Sequence, residues 1–536
     1  MNKIIFFLLI CVCLSAYCGY LNNGFVFDDK ILVEENPLVK SCAFFPDIFR
    51  TGAYDYWIGG QPYDRMYRPV QTVSYLIDYG IWGGSPAGFR LTNILLHLFN
   101  SLLIFYMLFL IFENRLLAAC AGILFMAHPV HISVVAYIAG RADLLSTFFT
   151  LLSCVLFLRY SVSAKKIFYV FSFLAALAAT FSRENALFLP VFLMLANYFM
   201  PARKAGFKSL WAFMLLPVVY TGVRFAVFGF SGLSMHPASG GLYFSFLNFL
   251  NIISRYIMLL VYPVDLRMFH SLGFINNVNL PVLILVFSVL GLVLFAALAK
   301  KGFLPRQIIF AWLWFFAGLF PVYFYFGAYA GLGRALMAEN WLYLSSAGFC
   351  LFAAYLCLLN RRGVLIVWVC VLLFSCVIFL NRKYWKNEVS FYERTLSFLP
   401  PGNIILKNLV FAYIESGDFT KAGEAIKELE KEYADTPAAY ICRGQYYLSS
   451  GEPEKALAYY GLVAKRSFFT NYSVSLCYAK TNEFDKAVGF AKESFRQNPF
   501  FRKNAILLAE LCERTGRGEE AAGYLSWAKS LDAKGR

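Results

Sequence analysis

Long apolar runs separated by short polar segments are the dominant pattern of this chain. Each run is about 20 residues long, the length that an α-helix needs to cross a bilayer. The pattern predicts eleven membrane spans. The stretch 247–262 is apolar but short and contains Arg255, so it is interpreted as an interfacial or re-entrant helix. The predicted spans lie near residues 4–21, 91–112, 116–137, 143–160, 166–181, 185–200, 208–229, 279–299, 306–325, 341–359 and 364–381.

After Asn381 the apolar runs stop and a repeat with a period near 34 residues begins. Its first copy places Tyr413, Gly417 and Ala422 at fixed offsets. This period, with small residues where helices cross, is typical of tetratricopeptide units, which are pairs of antiparallel helices. Four degenerate units are predicted over about 403–534. The later copies are Tyr447, Gly451 and Ala456, then Tyr478, Asn482 and Ala487, then Cys512, Gly516 and Ala521.

The charges of the loops predict the orientation of the spans. Lys and Arg gather in alternate loops, which the positive-inside rule assigns to the cytoplasm together with the N-terminus. The run 4–21 is interpreted as an uncleaved signal anchor. The predicted fold is all-α. Residues 1–385 are predicted to form a polytopic membrane helix bundle of about 11 spans, with a large first outer loop at 22–90. Residues 386–536 are predicted to form a tetratricopeptide α-solenoid on the periplasmic side of a bacterial inner membrane.

Composition supports a membrane protein and excludes two other classes. Apolar residues make up 60% of the chain and charged residues 15%, far from a soluble average. The net charge of +16 is spread over loops and repeats rather than along one helix, so it is not the footprint of a nucleic-acid-binding protein. Most of the 13 cysteines lie inside apolar runs, and no C-x-x-C pair occurs, so no disulfide framework is expected.

The candidate chemistry begins with two adjacent carboxylates, Asp28 and Asp29, which follow Phe27 just after the first apolar run. Acidic groups beside a membrane are costly unless they bind something or react. The alternative is that one of them caps a helix, a position that Asp favours. Four further polar clusters fall at the predicted outer ends of the spans. They are Tyr67, Arg68 and Pro69 with Arg90, Asn93 and His97; His128 and His131 followed by Arg141 and Asp143; Arg183 with Glu184; and Arg334 with Glu339.

Each of these clusters also has a structural interpretation. His97 lies inside a predicted span, where a satisfied core histidine is the alternative. His128 and His131 form a pair without the third ligand that zinc normally needs, so no metal site is predicted. The remaining alternatives are local ion pairs of Arg183 with Glu184, Arg141 with Asp143, and Arg334 with Glu339.

Several motifs occur in the same order as in a known family. The most specific is His128-Pro129-Val130-His131 followed by Gly140-Arg141-Ala142-Asp143-Leu144-Leu145. On these motifs the chain resembles the transmembrane-and-tetratricopeptide O-mannosyltransferases and their bacterial relatives. That family belongs to the C superfamily (GT-C) of integral-membrane glycosyltransferases, and the resemblance covers nearly the whole chain. The other motifs are Phe27-Asp28-Asp29, Asn36-Pro37, Tyr67-Arg68-Pro69, Gly88-Phe89 with Asn93 to His97, and Trp341-Leu342-Tyr343-Leu344 with Gly348-Phe349.

The chain departs from the family pattern at three places. Ser133 to Val135 stand where relatives carry a second acidic residue, Arg90 stands where they carry a His, and Asn340 replaces an Arg. These differences leave the sugar and the acceptor open.

The resemblance implies an inverting glycosyltransferase that uses a polyprenyl-phosphate sugar, with mannose as one candidate sugar. The acceptor would be a Ser or Thr hydroxyl of a protein held by the repeats, and Asp28 or Asp29 would act as general base. No cofactor is predicted, and a divalent metal is the disfavoured alternative. A non-catalytic membrane scaffold that binds partners through its repeats is the alternative function. The implied phosphate ligands are Arg141, Arg183, Arg334, His128 and His131, with Arg68, Arg90, His97, Asp143, Glu184 and Glu339 in supporting positions.

Overall fold

The computed structural model describes residues 3–55, 66–201, 205–229, 241–272, 304–321, 335–398 and 403–533. Within these ranges the chain is helical apart from one two-stranded antiparallel sheet, which confirms the all-α prediction. Its contacts divide the chain into two compact units. We call Met1–Asn23 with Pro86–Lys383 the membrane unit, and Gly24–Ser85 with Tyr384–Arg536 the repeat unit.

The membrane unit is built from apolar helices. In the described ranges four helices are long and apolar enough to cross a membrane, and a bent pair makes up to five. Shorter apolar helices occupy the other predicted positions, except 279–299, which lies outside the described residues. The chain is therefore an integral membrane protein. The elements are the helices Lys3–Tyr17, Pro86–Phe112, Arg115–Ala127, Ile132–Val135, Arg141–Ser163, Lys166–Ser182, Leu189–Phe199, Trp211–Met214, Leu216–Phe228, Gly241–Val261, Arg306–Leu319, Ser346–Leu358 and Gly363–Asn381, and the strands Phe269–Leu272 and Ala335–Ala338.

The predicted span 116–137 is broken in its second half, where the helix axis bends by 50°. Proline lacks the N–H that a helix needs and disfavours helical backbone at the preceding residue. Pro129 accordingly leaves His128 extended, at φ −71° and ψ 123°. The His128 ring then accepts a hydrogen bond from the Val130 N–H (3.3 Å).

Small residues let the membrane helices approach closely, as is common in membrane bundles. A Cβ atom on Gly348 would collide with the carbonyl oxygen of Ala311 on the helix Arg306–Leu319. The absence of a side chain at this position therefore brings two apolar helices into backbone contact.

The repeat unit shows the predicted tetratricopeptide pattern. The turns between paired helices contain Gly417, Gly451 and Gly516 at φ of +79°, +87° and +74°, and Asn482 at +63°. Glycine and, less readily, asparagine tolerate this left-handed backbone. The alanines five residues further on are at most 2% exposed, where the helices cross. The helices of this unit are Phe45–Ile48, Pro69–Trp82, Glu388–Leu396, Asn403–Glu415, Phe419–Tyr433, Pro437–Ser449, Pro453–Gly461, Phe468–Lys480, Phe484–Gln497, Arg502–Arg514 and Gly518–Ala533.

The segment 24–85 is a packed part of the repeat unit. Buried Leu38, Phe44 and Leu76 form one hydrophobic cluster with Leu531 of the last repeat helix. The Phe44 ring also meets Phe500 edge-on at 6.4 Å. These contacts bury apolar surface, which stabilises the segment on the repeats.

Candidate active site

The Phe-Asp-Asp motif contains an unusual backbone conformation. Phe27 has φ +52°, a region that bulky side chains rarely occupy. Its ring stacks on Phe391 at 5.9 Å and contacts Tyr392 edge-on at 6.3 Å. Packing between aromatic rings thus holds a costly conformation, which is a feature that clusters at functional sites.

The two carboxylates that follow have different surroundings. Asp29 is fully buried, and its carboxylate accepts a hydrogen bond from the N–H of Val26 (3.2 Å). Asp28 is half-buried, accepts a hydrogen bond from the Tyr54 hydroxyl (2.9 Å), and lines a cavity of about 1210 Å³. Asp29 therefore stabilises the turn, whereas Asp28 faces a space that a large ligand can enter.

The Tyr54 hydroxyl keeps the Asp28 carboxylate in place. Burial and the neighbouring Asp28 raise the pKa of Tyr54 well above its usual value, although the positive charge of buried Arg68 opposes this shift. Tyr54 therefore stays protonated and donates to Asp28. The structure thus brings three residues of the segment 24–85 into one electrostatic group.

Beside Asp28 the same cavity is acidic. Lys30 bridges two carboxylates, Glu388 at 2.5 Å and Glu415 at 2.7 Å. Burial raises the pKa of Glu388, and the hydrogen bond from Lys30 only partly offsets this. The single Lys30 ammonium thus pairs with two carboxylates, which leaves this wall of the cavity with excess negative charge.

In the membrane unit, two arginines that the sequence predicts as site residues form hydrogen bonds with other parts of the protein. Arg90 and Arg141 are both fully buried. Arg90 donates to the carbonyl oxygen of Ala136 (2.8 Å). Arg141 donates to the Asn93 side chain and to the carbonyl oxygen of Phe89 (2.7 Å). These contacts fix the loop after the broken span against the helix Pro86–Phe112.

The three predicted histidines are buried, and both ring nitrogens of each have a hydrogen-bonding partner. His97 and His131 pack together, with ring centroids 5.2 Å apart. Their environment is that of satisfied core histidines. The hydrogen bonds join His97 to Tyr343 (2.7 Å) and the Met126 carbonyl (3.1 Å), His131 to the Phe125 carbonyl (2.8 Å) and Ser346 (2.8 Å), and His128 to the Val130 N–H (3.3 Å) and the Leu260 carbonyl (3.0 Å).

A buried ion pair joins Arg183 to Asp143, and Asn340 donates to the same carboxylate oxygen (3.0 Å). Arg183 therefore pairs with Asp143 and not with its sequence neighbour Glu184. The group lines a cavity of about 20 Å³, the volume of a single water molecule. Arg183 Nε and the side-chain oxygens of Asn185 and Asn340 have no hydrogen-bond partner in the described part of the chain.

The sequence interpretation missed one functional candidate, His270. Its Nε2 lies 2.9 Å from the buried carboxylate of Glu339, and its Nδ1 accepts a hydrogen bond from Arg267 (3.1 Å). His270 lies on the short strand that pairs with the strand before Glu339. Glu339 is thus buried and held by a buried histidine, and Arg334, its predicted partner, lies outside the described residues.

The predicted site residues therefore form several groups. Glu184, the remaining supporting residue, accepts a hydrogen bond from Tyr220 (3.3 Å). Asp28, Asp29 and Arg68 belong to the repeat unit, and the other described candidates belong to the membrane unit. Within the described ranges no three His, Cys, Asp or Glu side chains gather as metal ligands.

Comparison with known proteins finds several protein O-mannosyl-transferases among the relatives of this chain. The chain is 28% identical over 462 residues to Protein O-mannosyl-transferase F38B6.6 of Caenorhabditis elegans. This match covers 80% of this chain and 61% of the relative. It is 33% identical over 159 residues to Protein O-mannosyl-transferase TMTC1 of Homo sapiens, covering 28% of this chain and 17% of the relative. The chain thus spans about three fifths of the worm relative's length and less of the human one.

These relatives confirm the resemblance that the motifs indicate. No protein-family model matches the chain. Among solved structures, ArnT from Cupriavidus metallidurans bound to undecaprenyl phosphate is similar with a TM-score of 0.44 and 11% identity, over 96% of this chain and 89% of that one.

Proposed function

We propose that this chain, a homologue of the protein O-mannosyl-transferases, is an integral-membrane glycosyltransferase. It moves a sugar from a polyprenyl-phosphate donor to a Ser or Thr hydroxyl of a protein. The observation that carries this proposal is the placement of Asp28, which is oriented by Tyr54 at the wall of a large cavity. A carboxylate that contacts both a fixed donor and an open space suits a general base.

In the proposed reaction Asp28 takes the proton of the acceptor hydroxyl. The hydroxyl oxygen forms a bond to the anomeric carbon of the sugar, and the bond from that carbon to the phosphate oxygen breaks. The lipid phosphate leaves with the bonding electrons. One displacement of this kind inverts the anomeric centre. Asp29 takes no part in the transfer, because its buried carboxylate holds the turn at Val26.

The leaving phosphate needs positive charge more than a proton. We assign this role to Arg183, because its Nε–H has no partner in the described residues and guanidinium suits phosphate oxygens. Arg141 is the weaker candidate, since two of its donors already bind Asn93 and Phe89. The cavity beside Arg183 has the volume of one water, so phosphate binding would require side-chain movement.

Sugar transfer by purified protein in nanodiscs tests the base. With a polyprenyl-phosphate sugar and a Thr-containing peptide, Asp28→Asn should lower kcat by about 10² to 10⁴ while the melting temperature stays close to wild type. Asp29→Asn should instead lower the melting temperature, because it weakens a buried hydrogen bond. The matched control is Glu424→Gln, which removes an exposed acid of the repeats outside the cavity.

The same assay separates the enzyme from the scaffold. Transfer that is donor-dependent in the wild type and lost in Asp28→Asn supports the proposal. Wild-type transfer rates in Asp28→Asn, or no transfer by the wild type with any polyprenyl-phosphate sugar, would overturn it and favour a scaffold.

A further inference from the structure

We propose that the cavity of the repeat unit binds its protein acceptor as an extended segment with a defined pattern. The segment carries an aromatic residue and, about four positions from the reacting hydroxyl, an acidic residue. This inference rests on the proposed function for the role of the hydroxyl. It adds a sequence preference and assigns the surface that reads it.

The size of the cavity favours a polymer over a small molecule. Its volume of about 1210 Å³ exceeds the roughly 300–1,000 Å³ of typical small-molecule pockets. All of its walls belong to the repeat unit, including Asp28 and residues of the first helix in each of the four repeats. Repeat arrays present such continuous concave surfaces to extended ligands.

An aromatic strip runs along one wall of the cavity. It consists of Phe411, Phe469, Tyr472 and Phe501. The ring centroids of Phe411 and Phe469 are 5.7 Å apart, those of Phe469 and Tyr472 are 6.4 Å apart, and those of Tyr472 and Phe501 are 4.9 Å apart. Phe411, Phe469 and Tyr472 are only half-buried, so each leaves ring surface open to the cavity. Exposed rings of this kind are typical anchors for an aromatic or apolar side chain.

The charges on the cavity walls are separated. The acidic wall beside Asp28 has two carboxylates for one Lys30 ammonium. Lys407 and Lys465 also line the cavity, and neither forms an ion pair in the ranges that the structure describes. Unpaired ammonium groups favour an acidic ligand, because charge complementarity sets the register of binding.

The spacing between the reacting hydroxyl and the acidic residue of the acceptor follows from the length of one helix. Lys407 and Glu415 lie on Asn403–Glu415, eight residues apart, and both line the cavity. At about 1.5 Å per residue this is about 12 Å. An extended peptide covers about 3.3 Å per residue, so about four residues reach from one position to the other. Glu415 marks the Asp28 end, because it binds Lys30.

Peptide binding to the full-length protein in detergent, without donor, tests this surface. The probes are fluorescein-labelled peptides with one Thr, a neighbouring Phe, and a Glu four positions before or after the Thr. Fluorescence anisotropy should show saturable binding of one of them. Phe469→Ala should raise its Kd about tenfold. Lys407→Gln should raise Kd several-fold at low salt and have little effect at 1 M salt.

Matched variants control for general damage to the repeats. Phe419→Ala removes a half-buried ring outside the cavity, and Lys427→Gln removes an exposed ammonium outside it, so both should leave Kd unchanged. A peptide with Gln in place of Glu should bind wild type and Lys407→Gln equally. Absence of saturable binding, or equal Kd values for wild type and Phe469→Ala, would overturn the inference. So would self-association of the protein that depends on Phe469, because a second copy would then occupy the cavity.

These outcomes are distinct from failure of the proposed function. Asp28→Asn should still bind the peptide while losing transfer. Binding without any transfer would count against the enzyme and leave the surface intact. Transfer without sequence preference would count against the surface and leave the enzyme intact.

Discussion

At the scale of single residues, burial decides what each charged group does. Arg183 and Asp143 are at most 8% exposed and face each other inside the membrane unit. Removing one member of such a pair leaves an unpaired charge in a medium that solvates it poorly. The pair therefore has a structural role, and any part that Arg183 plays in phosphate binding has to be separated from it.

A double substitution makes this separation. Arg183→Gln should destabilise the protein by about 3 kcal/mol, because the buried Asp143 carboxylate then loses its ion pair with the guanidinium. Adding Asp143→Asn should restore most of that stability, since neither charge remains. If Arg183 binds the donor phosphate, the double variant should recover its denaturation midpoint but not its affinity for donor. Recovery of both would show that the arginine serves only the ion pair.

The sequence predicts which residues are candidates but not their surroundings. Asp28 and Asp29 are neighbours of the same type, and their difference depends on the backbone of Phe27 and on Tyr54, which is 26 positions away. Arg141 and Arg183 likewise look equivalent until their partners are known. Long-range contacts determine these differences, and a single sequence does not encode them in any local pattern.

At the scale of helices, the crossing of Arg306–Leu319 with Ser346–Leu358 depends on Gly348. The space that its missing side chain leaves is filled by the backbone at Ala311. We expect Gly348→Ala to force the helices apart and to destabilise the protein by about 1–3 kcal/mol. A lower thermal unfolding midpoint in detergent, compared with wild type, would measure this.

Gly222 supplies the matched control for this substitution. It also lies inside an apolar helix, Leu216–Phe228, but a Cβ atom there would meet nothing within 4 Å. Gly222→Ala should therefore leave the midpoint unchanged or raise it slightly, because alanine restricts the unfolded chain more than glycine does. Equal losses in the two variants would contradict the role given to close helix packing.

Periodic elements are predictable from sequence because their signal is repeated. The Tyr, Gly and Ala offsets of the repeats predict the left-handed turns at Gly417 and Gly451, and even at Asn482. The break at Pro129 is different. Hydropathy alone continues through 116–137, so the span looks whole, although Pro129 gives a local reason for the bend. Strands such as Phe269–Leu272 are too short and too dependent on a distant partner to predict.

At the scale of the whole molecule, the segment 24–85 and the repeats form one compact unit although some 300 residues separate them in sequence. Adjacency to the first apolar run gives no sign of this, because the packing of Leu38 and Phe44 against Leu531 is a tertiary contact. The consequence is that Asp28 and the proposed acceptor surface share a unit. Binding of acceptor and orientation of the base are then expected to depend on the same folded body.

The distribution of Lys and Arg predicts that this unit lies on the periplasmic side, where a lipid-linked sugar would meet secreted proteins. Alkaline phosphatase fused after Arg536 should be active in a bacterial host, and green fluorescent protein fused there should stay dark. Fusions after Arg362, in a predicted cytoplasmic loop, should give the reverse pattern and serve as the control. Fluorescence from the Arg536 fusion would place the repeats in the cytoplasm. The acceptor would then have to be a cytoplasmic protein, and the assignment of the basic loops would be wrong.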